Sequence, residues 1–360
     1  MKLVTIVGAR PQFVKAAAIS REIARRTGGP EIRERLVHTG QHYDYELSAV
    51  FFEQLSIAPP AHHLGVGSGP HGAQTGEMLR KIEVCLQQEQ PDLVVVHGDT
   101  NSTLAGALAA AKLHLPVAHV EAGLRSFNRA MPEELNRVLT DHLARWLFCP
   151  SDTAVTNLRA EGVVDGVHQV GDVMYDVLLL HRERAQAHRP LLGSLGVRPR
   201  GFALATVHRP ENTDDPTRLR SIFETLDELA AGGLPVILPL HPRTRAALQA
   251  HGVSAGATRL IDPVSYEEML LLLQEAHVLL TDSGGLQKEA YWSEVPCVTL
   301  RDETEWVETV EAGWNTVVGA DPARIRDAVA GARRPTDRVT LYGDGHAAAA
   351  IVDVLAASAA

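Results

Sequence analysis

Residues 119–142 read HVEAGLRSFNRAMPEELNRVLTDH, and how this stretch is parsed decides the fold. A short apolar run at 116–120 delivers Glu121 to a glycine turn at Gly123; Arg125 and Arg129 follow, and Pro132, Glu133 and Glu134 open a helix. A strand that hands a carboxylate to a turn and then to a helix is the unit of an open α/β sheet. In such a sheet, strand ends and helix starts face the same cleft. Two acids there, with cations between them, suit proton transfer on a bound anion. A plainer reading fits the same residues: proline suits the first helical position, and acids near a helix start complement its dipole. The other strand ends must decide.

Working outward, the alternation of apolar run and helical pattern covers the chain. Short runs at 3–7, 36–39, 93–97, 117–120, 146–149 and 167–170 are separated by helices predicted to begin near Pro11, Tyr45, Gln74, Ser102, Pro132 and Asp152. Residues 181–200 are rich in Arg, Gln and His, and Pro190, Gly193, Gly196 and Pro199 predict a less ordered connection there. Runs resume at 202–206, 236–240, 259–261, 278–281, 297–300 and 316–318. The pattern predicts an α/β protein of two Rossmann-like, doubly wound parallel-sheet domains facing a cleft. The N-terminal domain, 1–180, carries the candidate carboxylates, and the C-terminal domain spans 181–340. A last helical segment, 341–360, is expected to pack back toward the first domain. The 360 residues are too many for one ordinary core, and suit two domains of roughly 150–180 residues.

Composition narrows the function. Hydrophobic residues make up 45% and the net charge is −10, so non-specific binding to nucleic acid or to an anionic membrane is not expected. An anionic ligand remains compatible where cations gather locally. No apolar window reaches the roughly 18–20 residues of a membrane span. The opening MKLVTIVGARPQ reads as a first strand rather than a signal peptide, because no small-residue cleavage site follows an apolar core. Cys85, Cys149 and Cys297 lie far apart without metal or redox spacing, which predicts buried thiols in a reducing cytoplasm. Seventeen histidines include no recognisable ligand pair; His62-His63 sits in a Gly/Pro-rich loop without a nearby cysteine or acidic cluster, so no metal is expected.

Each strand end then offers chemistry. In GARPQFVK, 8–15, Gly8 permits a tight turn, and Arg10, Lys15 and free helix-start amides make an anion site; surface cations on a first helix are the alternative. The terminal Gly-Lys-Ser/Thr of a Walker loop is missing. In HTGQHYDYE, Gln41 and His42 bind a ligand or merely satisfy loop backbone. In HGDTNST, Asp99 stands at a strand end before Thr100 and Ser102, either of which can cap the next helix; Asp99 reads as a cleft carboxylate or as a turn residue. ATVHRPEN places His208 just past a strand, and LPLHPRT does the same for His241. TDSGGLQKEA is the sharpest signal. Ser283 can cap, and Gly284-Gly285 open a helix with bare amides suited to a diphosphate, while Glu289 lies about one and a half turns in, placed to accept from sugar hydroxyls.

The motifs GARPQFVKAA, HTGQHYD, HGDTNSTLAGALAA, HVEAGLR, MPEELNRVLTDH, VGDVMYD, HRPEN, LPLHPRT, DSGGLQKEA and the final YGDG together resemble the non-hydrolysing UDP-N-acetylglucosamine 2-epimerases over nearly the whole chain. The resemblance implies the two-Rossmann architecture of GT-B glycosyltransferases. It also implies reversible inversion at carbon 2 of UDP-GlcNAc to give UDP-ManNAc, by elimination of UDP to 2-acetamidoglucal and re-addition. By the same resemblance Asp99, Glu121 and Glu133 match the family's acids, Glu133 rather than Glu134 following from the family's Pro-Glu-Glu, and His208 is a further catalytic residue that would meet the charge on the leaving diphosphate. Arg10, Lys15, Ser283, Gly284 and Gly285 would support the diphosphate, Glu289 the ribose, and the 261–266 segment would border the uracil. His241 and Arg301 complete the expected substrate contacts. No cofactor is implied, and a cytoplasmic homodimer feeding cell-surface polysaccharide synthesis is expected from the family only. HGAQTGEML and AGLRSFNRAMPEE also resemble the related epimerases of UDP-2,3-diacetamido-2,3-dideoxyglucuronic acid, whose extra carboxylate Arg125, Arg129 or Arg301 would receive. A hydrolysing epimerase and a GT-B glycosyltransferase are further alternatives. The chain departs from members activated by UDP-GlcNAc at a second site: it has HTGQHYDYE in place of TGQHREML, and its 65–76 loop holds no arginine, so little or no such activation is expected.

Overall fold

The computed structural model describes residues 1–27, 31–41, 58–336 and 339–358, without the Arg10 side chain. The chain divides into two compact units, Met1–Val177 with Thr340–Ala360, and Leu178–Val339.

In the first unit, runs such as KLVTIV and LVVVH are apolar on both faces, as strands covered on both sides must be. The strands are β1 (Lys2–Val7), β2 (Arg33–His38), β3 (His62–His63), β4 (Leu93–His97), β5 (Val117–Val120), β6 (Trp146–Cys149) and β7 (Val167–Gln169). They form one parallel sheet in the order β3-β2-β1-β4-β5-β6-β7. The order reverses beside β1, so the crevice for a ligand opens at the carboxyl ends of β1 and β4. One face packs Val4, Ile6, Val94 and Val96 on Met78, Ile82, Ala105 and Ala109. The helix Asn101–Lys112, NSTLAGALAAAK, approaches closely because its residues are small: a Cβ on Gly106 would meet Ile6 Cδ1 at 2.9 Å. The opposite face packs Leu3, Val95 and Phe148 on Ile19, Ile351 and Leu355. The last two belong to the helix Ala347–Ala357, and burying each contributes about 1.5–3 kcal/mol.

The second unit repeats the design. Strands β8 (Ala203–Thr206), β9 (Val236–Pro239), β10 (Arg259–Ile261), β11 (Val278–Thr281), β12 (Cys297–Thr299) and β13 (Asn315–Val317) run parallel in the order β10-β9-β8-β11-β12-β13. The reversal lies between β8 and β11. Its core joins Leu219, Phe223, Leu238, Leu280 and Ile325.

Three expectations need correction. His62-His63 is not loop but the short edge strand β3, pairing with Val37 and His38; two residues are too few to show a strand period. Residues 181–200 are largely helical, through Val173–Ala185, Gln186–His188 and Pro190–Ser194; Pro190 sits at a first helical position, where proline starts a helix rather than breaking one. The helix expected near Gln74 begins at His71, so half of the 65–76 loop is helix. The helix expected near Tyr45, and His42, lie outside the described residues.

Candidate active site

In the first unit, two acids stand on the exits of neighbouring strands. Gly98 leaves β4 with φ +63°, and Asp99 follows, its carboxylate one-third exposed and held by Arg137 Nη2 at 2.7 Å. Glu121 leaves β5 with φ +74°, a left-handed conformation that costs about 1–2 kcal/mol for a residue with a Cβ. Its backbone N–H and that of Ala122 both donate to Phe148 O at 3.1 Å, and its carboxylate pairs with the buried ammonium of Lys15. Gly98 makes this possible: a Cβ there would lie 3.3 Å from both Glu121 Oε2 and Lys15 Nζ. Gly8 has a similar reason, since a Cβ would fall 2.0 Å from Ser102 Oγ and 2.3 Å from Thr39 Oγ1. Gln12 ties the first turn to β4, accepting from Gly8 N at 2.8 Å and donating to His97 O at 2.7 Å.

The helix Pro132–Leu143 supports both turns. Sequence periodicity leaves Glu133 and Glu134 equivalent; the structure separates them. Glu134 is buried and accepts from Ser126 N at 2.9 Å, Phe127 N at 3.0 Å and Arg137 Nη1 at 2.7 Å, so it braces the preceding loop. Glu133 is half-buried and remains within reach of solvent. Asn136 donates to Asp99 O at 2.9 Å. The Asn101–Lys112 helix is capped by Thr100, not Ser102, whose hydroxyl instead donates to Gln41 Oε1 at 2.7 Å.

Behind these acids lies a buried charge network. Asp141 accepts from His119 Nδ1 at 2.6 Å, Arg125 Nη1 at 2.7 Å and Gly123 N at 3.1 Å. Burial alone would raise its pKa, but the charge and hydrogen bond of His119, then those of Arg125, hold it below the usual carboxylate range. Arg125 is only 3% exposed; Nε and Nη2 donate to Glu161, and Nη1 also reaches Leu124 O. The guanidinium is thus occupied inside the fold, in contrast to the substrate contact expected of it. His97 is fully buried; desolvation first, then the positive charges of Lys15 and His119, push its pKa down to about 3, so the ring is neutral.

In the second unit, Asp282 plays the corresponding part at the end of β11. It accepts from His208 N at 2.9 Å, Arg209 N at 2.9 Å and Asn212 Nδ2 at 3.1 Å, and faces His208 Nδ1 at 3.1 Å. Burial would lift its pKa; the His208 ring and the two amides outweigh it. The His208 side chain is 34% exposed, with the His241 ring 5.5 Å away. His241 caps the helix Pro242–His251, accepting from Arg243 N at 3.2 Å. Ser283 caps the helix Gly284–Trp292. Gly285 has open space where a Cβ would project, whereas a Cβ on Gly284 would meet Glu305 Oε1 at 2.7 Å. Glu289 is buried near Tyr266, whose hydroxyl is pushed up by burial and by the Glu289 charge, so the 261–266 segment and Glu289 lie together. Arg301 Nη1 is paired with Glu305 at 2.9 Å. The Arg10 side chain lies outside the described residues.

No helix among the described residues is long and apolar enough to cross a membrane, and no group of three or more metal-ligating side chains occurs among them. The three cysteines are buried, and burial raises Cys85 to about 11 and Cys149 and Cys297 to about 12. The thiols are therefore inert.

Comparison with known proteins places this geometry. The family model UDP-N-acetylglucosamine 2-epimerase matches residues 24–356. The chain belongs to that family. It is 49% identical, over 99% of both chains, to a UDP-N-acetylglucosamine 2-epimerase homolog of Methanococcus maripaludis. It is also 49% identical, with the same coverage, to the UDP-2,3-diacetamido-2,3-dideoxy-D-glucuronate 2-epimerase of Pseudomonas aeruginosa. A solved structure of Methanocaldococcus jannaschii UDP-GlcNAc 2-epimerase in complex with UDP-GlcNAc and UDP superposes with TM-score 0.89 at 41% identity, covering 99% of each chain. The two-domain, parallel-sheet, GT-B-like fold expected of the sequence is that of this family.

Sequence reasoning missed Gln12, His119, Asn136, Arg137 and Asp141, all of which hold the acid-bearing turns. One signal was available: on the helix Pro132–Leu143, Leu135 and Leu139 are 42% and 51% exposed, while Glu134, Asn136, Arg137 and Asp141 are buried. A helix whose polar residues share the i, i+3, i+7 spacing of a core stripe can turn that stripe inward.

Proposed function

We propose that the chain catalyses the reversible epimerisation of a UDP-N-acetylhexosamine at carbon 2, UDP-GlcNAc to UDP-ManNAc, by eliminating UDP to 2-acetamidoglucal and adding it back. The observation that carries this reading is the placement of Asp99 and Glu121 on adjoining strand exits, each paired with a buried cation. Family membership supplies the reaction class. The hydrogen on carbon 2 is not acidic enough for a carboxylate to remove at neutral pH. Departure of the diphosphate gives the ring oxocarbenium character and makes that hydrogen removable. Lys15 pairs with Glu121 and Arg137 with Asp99, holding two carboxylates at the strand exits where they can take a proton, and Glu133 is the half-buried acid at the start of the supporting helix. Negative charge growing on the departing UDP falls to the second unit: the bare amides at Gly284 and Gly285, Ser283, and His208, whose Nδ1 faces Asp282 and leaves Nε2 for a phosphate oxygen. Each such contact contributes about 2–4 kcal/mol in a dry site.

The test is incubation with UDP-GlcNAc in deuterated water, followed by NMR. Reversible formation of the epimer with deuterium at carbon 2 is expected; irreversible release of free sugar and UDP would show a hydrolase, and a requirement for an acceptor would show a transferase. Asp99→Asn, Glu121→Gln and Glu133→Gln should each lower turnover by roughly 10²-fold or more while UDP still binds. Near-normal turnover removes the residue concerned from the mechanism.

A second reading keeps the chemistry and changes the sugar to UDP-2,3-diacetamido-2,3-dideoxyglucuronic acid. The Pseudomonas aeruginosa relative favours it. Of the three arginines expected to receive a uronate, Arg125 and Arg301 are buried in ion pairs and Arg129 is exposed, so this reading rests on Arg129. A higher kcat/KM on the uronate, run alongside UDP-GlcNAc, selects it.

A further inference from the structure

We propose that His119, carrying a proton on each ring nitrogen, is a positioning residue: it clamps the Gly98 carbonyl to the Asp141 carboxylate and so fixes the two turns that present Asp99 and Glu121. This rests on the epimerase reading above.

The hydrogen-bond chemistry fixes the donors. His119 Nδ1 lies 2.6 Å from Asp141 Oδ1 and Nε2 lies 2.7 Å from Gly98 O, with both side chains shut off from solvent. A carbonyl oxygen can only accept. Asp141 accepts at both oxygens: its pKa lies below the usual carboxylate range, so Oδ1 carries no proton, while Arg125 Nη1 and Gly123 N donate to Oδ2. A ring with one proton would therefore press a nitrogen lone pair against an oxygen lone pair at one of its ends. The charges balance within the network, His119 and Arg125 against Asp141 and Glu161, as buried charges require.

The clamp grips where strain must be held. Glu121 occupies the left-handed region, and such a residue persists only when its surroundings over-determine it. His119 lies two residues before it, and Gly123, whose N–H is bound by Asp141, two residues after. Across the β4–β5 pair, Gly98 N donates to Val120 O at 3.0 Å while Gly98 O accepts from His119. Asp99 is the next residue. One imidazole thus spans the exits of both strands, and an apolar side chain of similar size would fill the space without holding the carbonyl.

The test is His119→Gln in the full chain, which leaves Arg125 and Asp141 in place and offers one neutral donor. A displaced acid should cut kcat by about 10²-fold, while KM and UDP affinity stay within about threefold, the pattern of a lost transition-state interaction. A kcat fall under tenfold, or a loss matched by equal losses of UDP affinity or folded fraction, would overturn the clamp. NMR of wild-type protein labelled with 15N-histidine gives an independent readout at pH 7: both His119 nitrogens protonated is expected, and a ring with a single proton overturns the proposal even if the variant does not fold. Wild-type deuterium incorporation separates the two ideas. Its absence sinks the epimerase reading, whereas its presence with unchanged kcat in His119→Gln sinks the clamp alone.

Discussion

Asp141 in the first unit and Asp282 in the second are both buried aspartates at the heart of a candidate site, and both are held in the ionised form. They reach that state by different means. Asp141 is neutralised by two side-chain cations on other elements, His119 and Arg125, and its neighbours are locked from solvent. Asp282 is held first by the His208 ring and then by the amides of His208 and Arg209, with Asn212 donating as well, and His208 keeps a third of its side chain exposed. The first arrangement suits a rigid frame that must aim carboxylates; the second suits a turn that must leave a ring and bare amides open to a ligand.

The difference should be largest in stability. Asp141→Asn leaves two buried cations short of an anion, a loss of about 3–5 kcal/mol. Asp282→Asn strands backbone donors and is expected to cost about 1–3 kcal/mol. Denaturant unfolding of the two variants measures both, and equal losses or the reverse order would break the comparison.

A third aspartate, the half-buried Asp176, sharpens it. It accepts from Ala347 N at 3.2 Å and Ala348 N at 2.9 Å, the start of the last helix of the first unit, with no cation among the influences on it. Burial, the largest influence, then wins, and its pKa rises to about 6 from an ordinary 3.8. Between those values the unfolded chain has released the proton and the folded protein still holds it. Stability contributed here therefore falls as pH rises from about 4 to about 6. Asp176→Asn should remove that slope, worth on the order of 1–3 kcal/mol, as read from unfolding free energies at several pH values. An unchanged slope would mean that amides alone suffice to hold a half-buried carboxylate ionised.

The smallest effect on folding is expected at Gly285. Its Cβ position is open, so Gly285→Ala should change stability by no more than about 1 kcal/mol, and upward, because alanine favours the helix. UDP affinity should nevertheless fall about tenfold, equivalent to about 1.4 kcal/mol, if the amides of this turn meet the diphosphate. Calorimetric titration with UDP checks it, and unaltered affinity would place the diphosphate elsewhere.

Much of the fold was legible because its determinants are local. The runs that became β4, β5, β6 and β11 are largely apolar stretches bounded by glycine, proline or ionisable residues, and their ends needed no tertiary information. The acids at strand exits and the glycine pair after β11 were legible for the same reason. The helix Pro132–Leu143 was legible as a helix but not in its orientation. Its two exposed leucines would be read as core, and its buried Glu134, Arg137 and Asp141 as surface, until the turns they serve are in view.

The sequence by itself determined the two parallel sheets, the turns at which acids and bare amides appear, and the resemblance to a family, since strand period, turn chemistry and motif spacing act within a few residues. Tertiary structure alone decided that Glu134 is the buried brace and Glu133 the half-buried acid, that Arg125 is occupied by Glu161 and Asp141, and that His119 bridges two strand exits. Those choices join residues far apart in the chain, 106 positions for Lys15 and Glu121 and 38 for Arg137 and Asp99. A buried charge takes whichever partner the crossing elements bring within 3 Å or so, where leaving it unpaired would cost several kcal/mol, and that crossing is written in no local stretch.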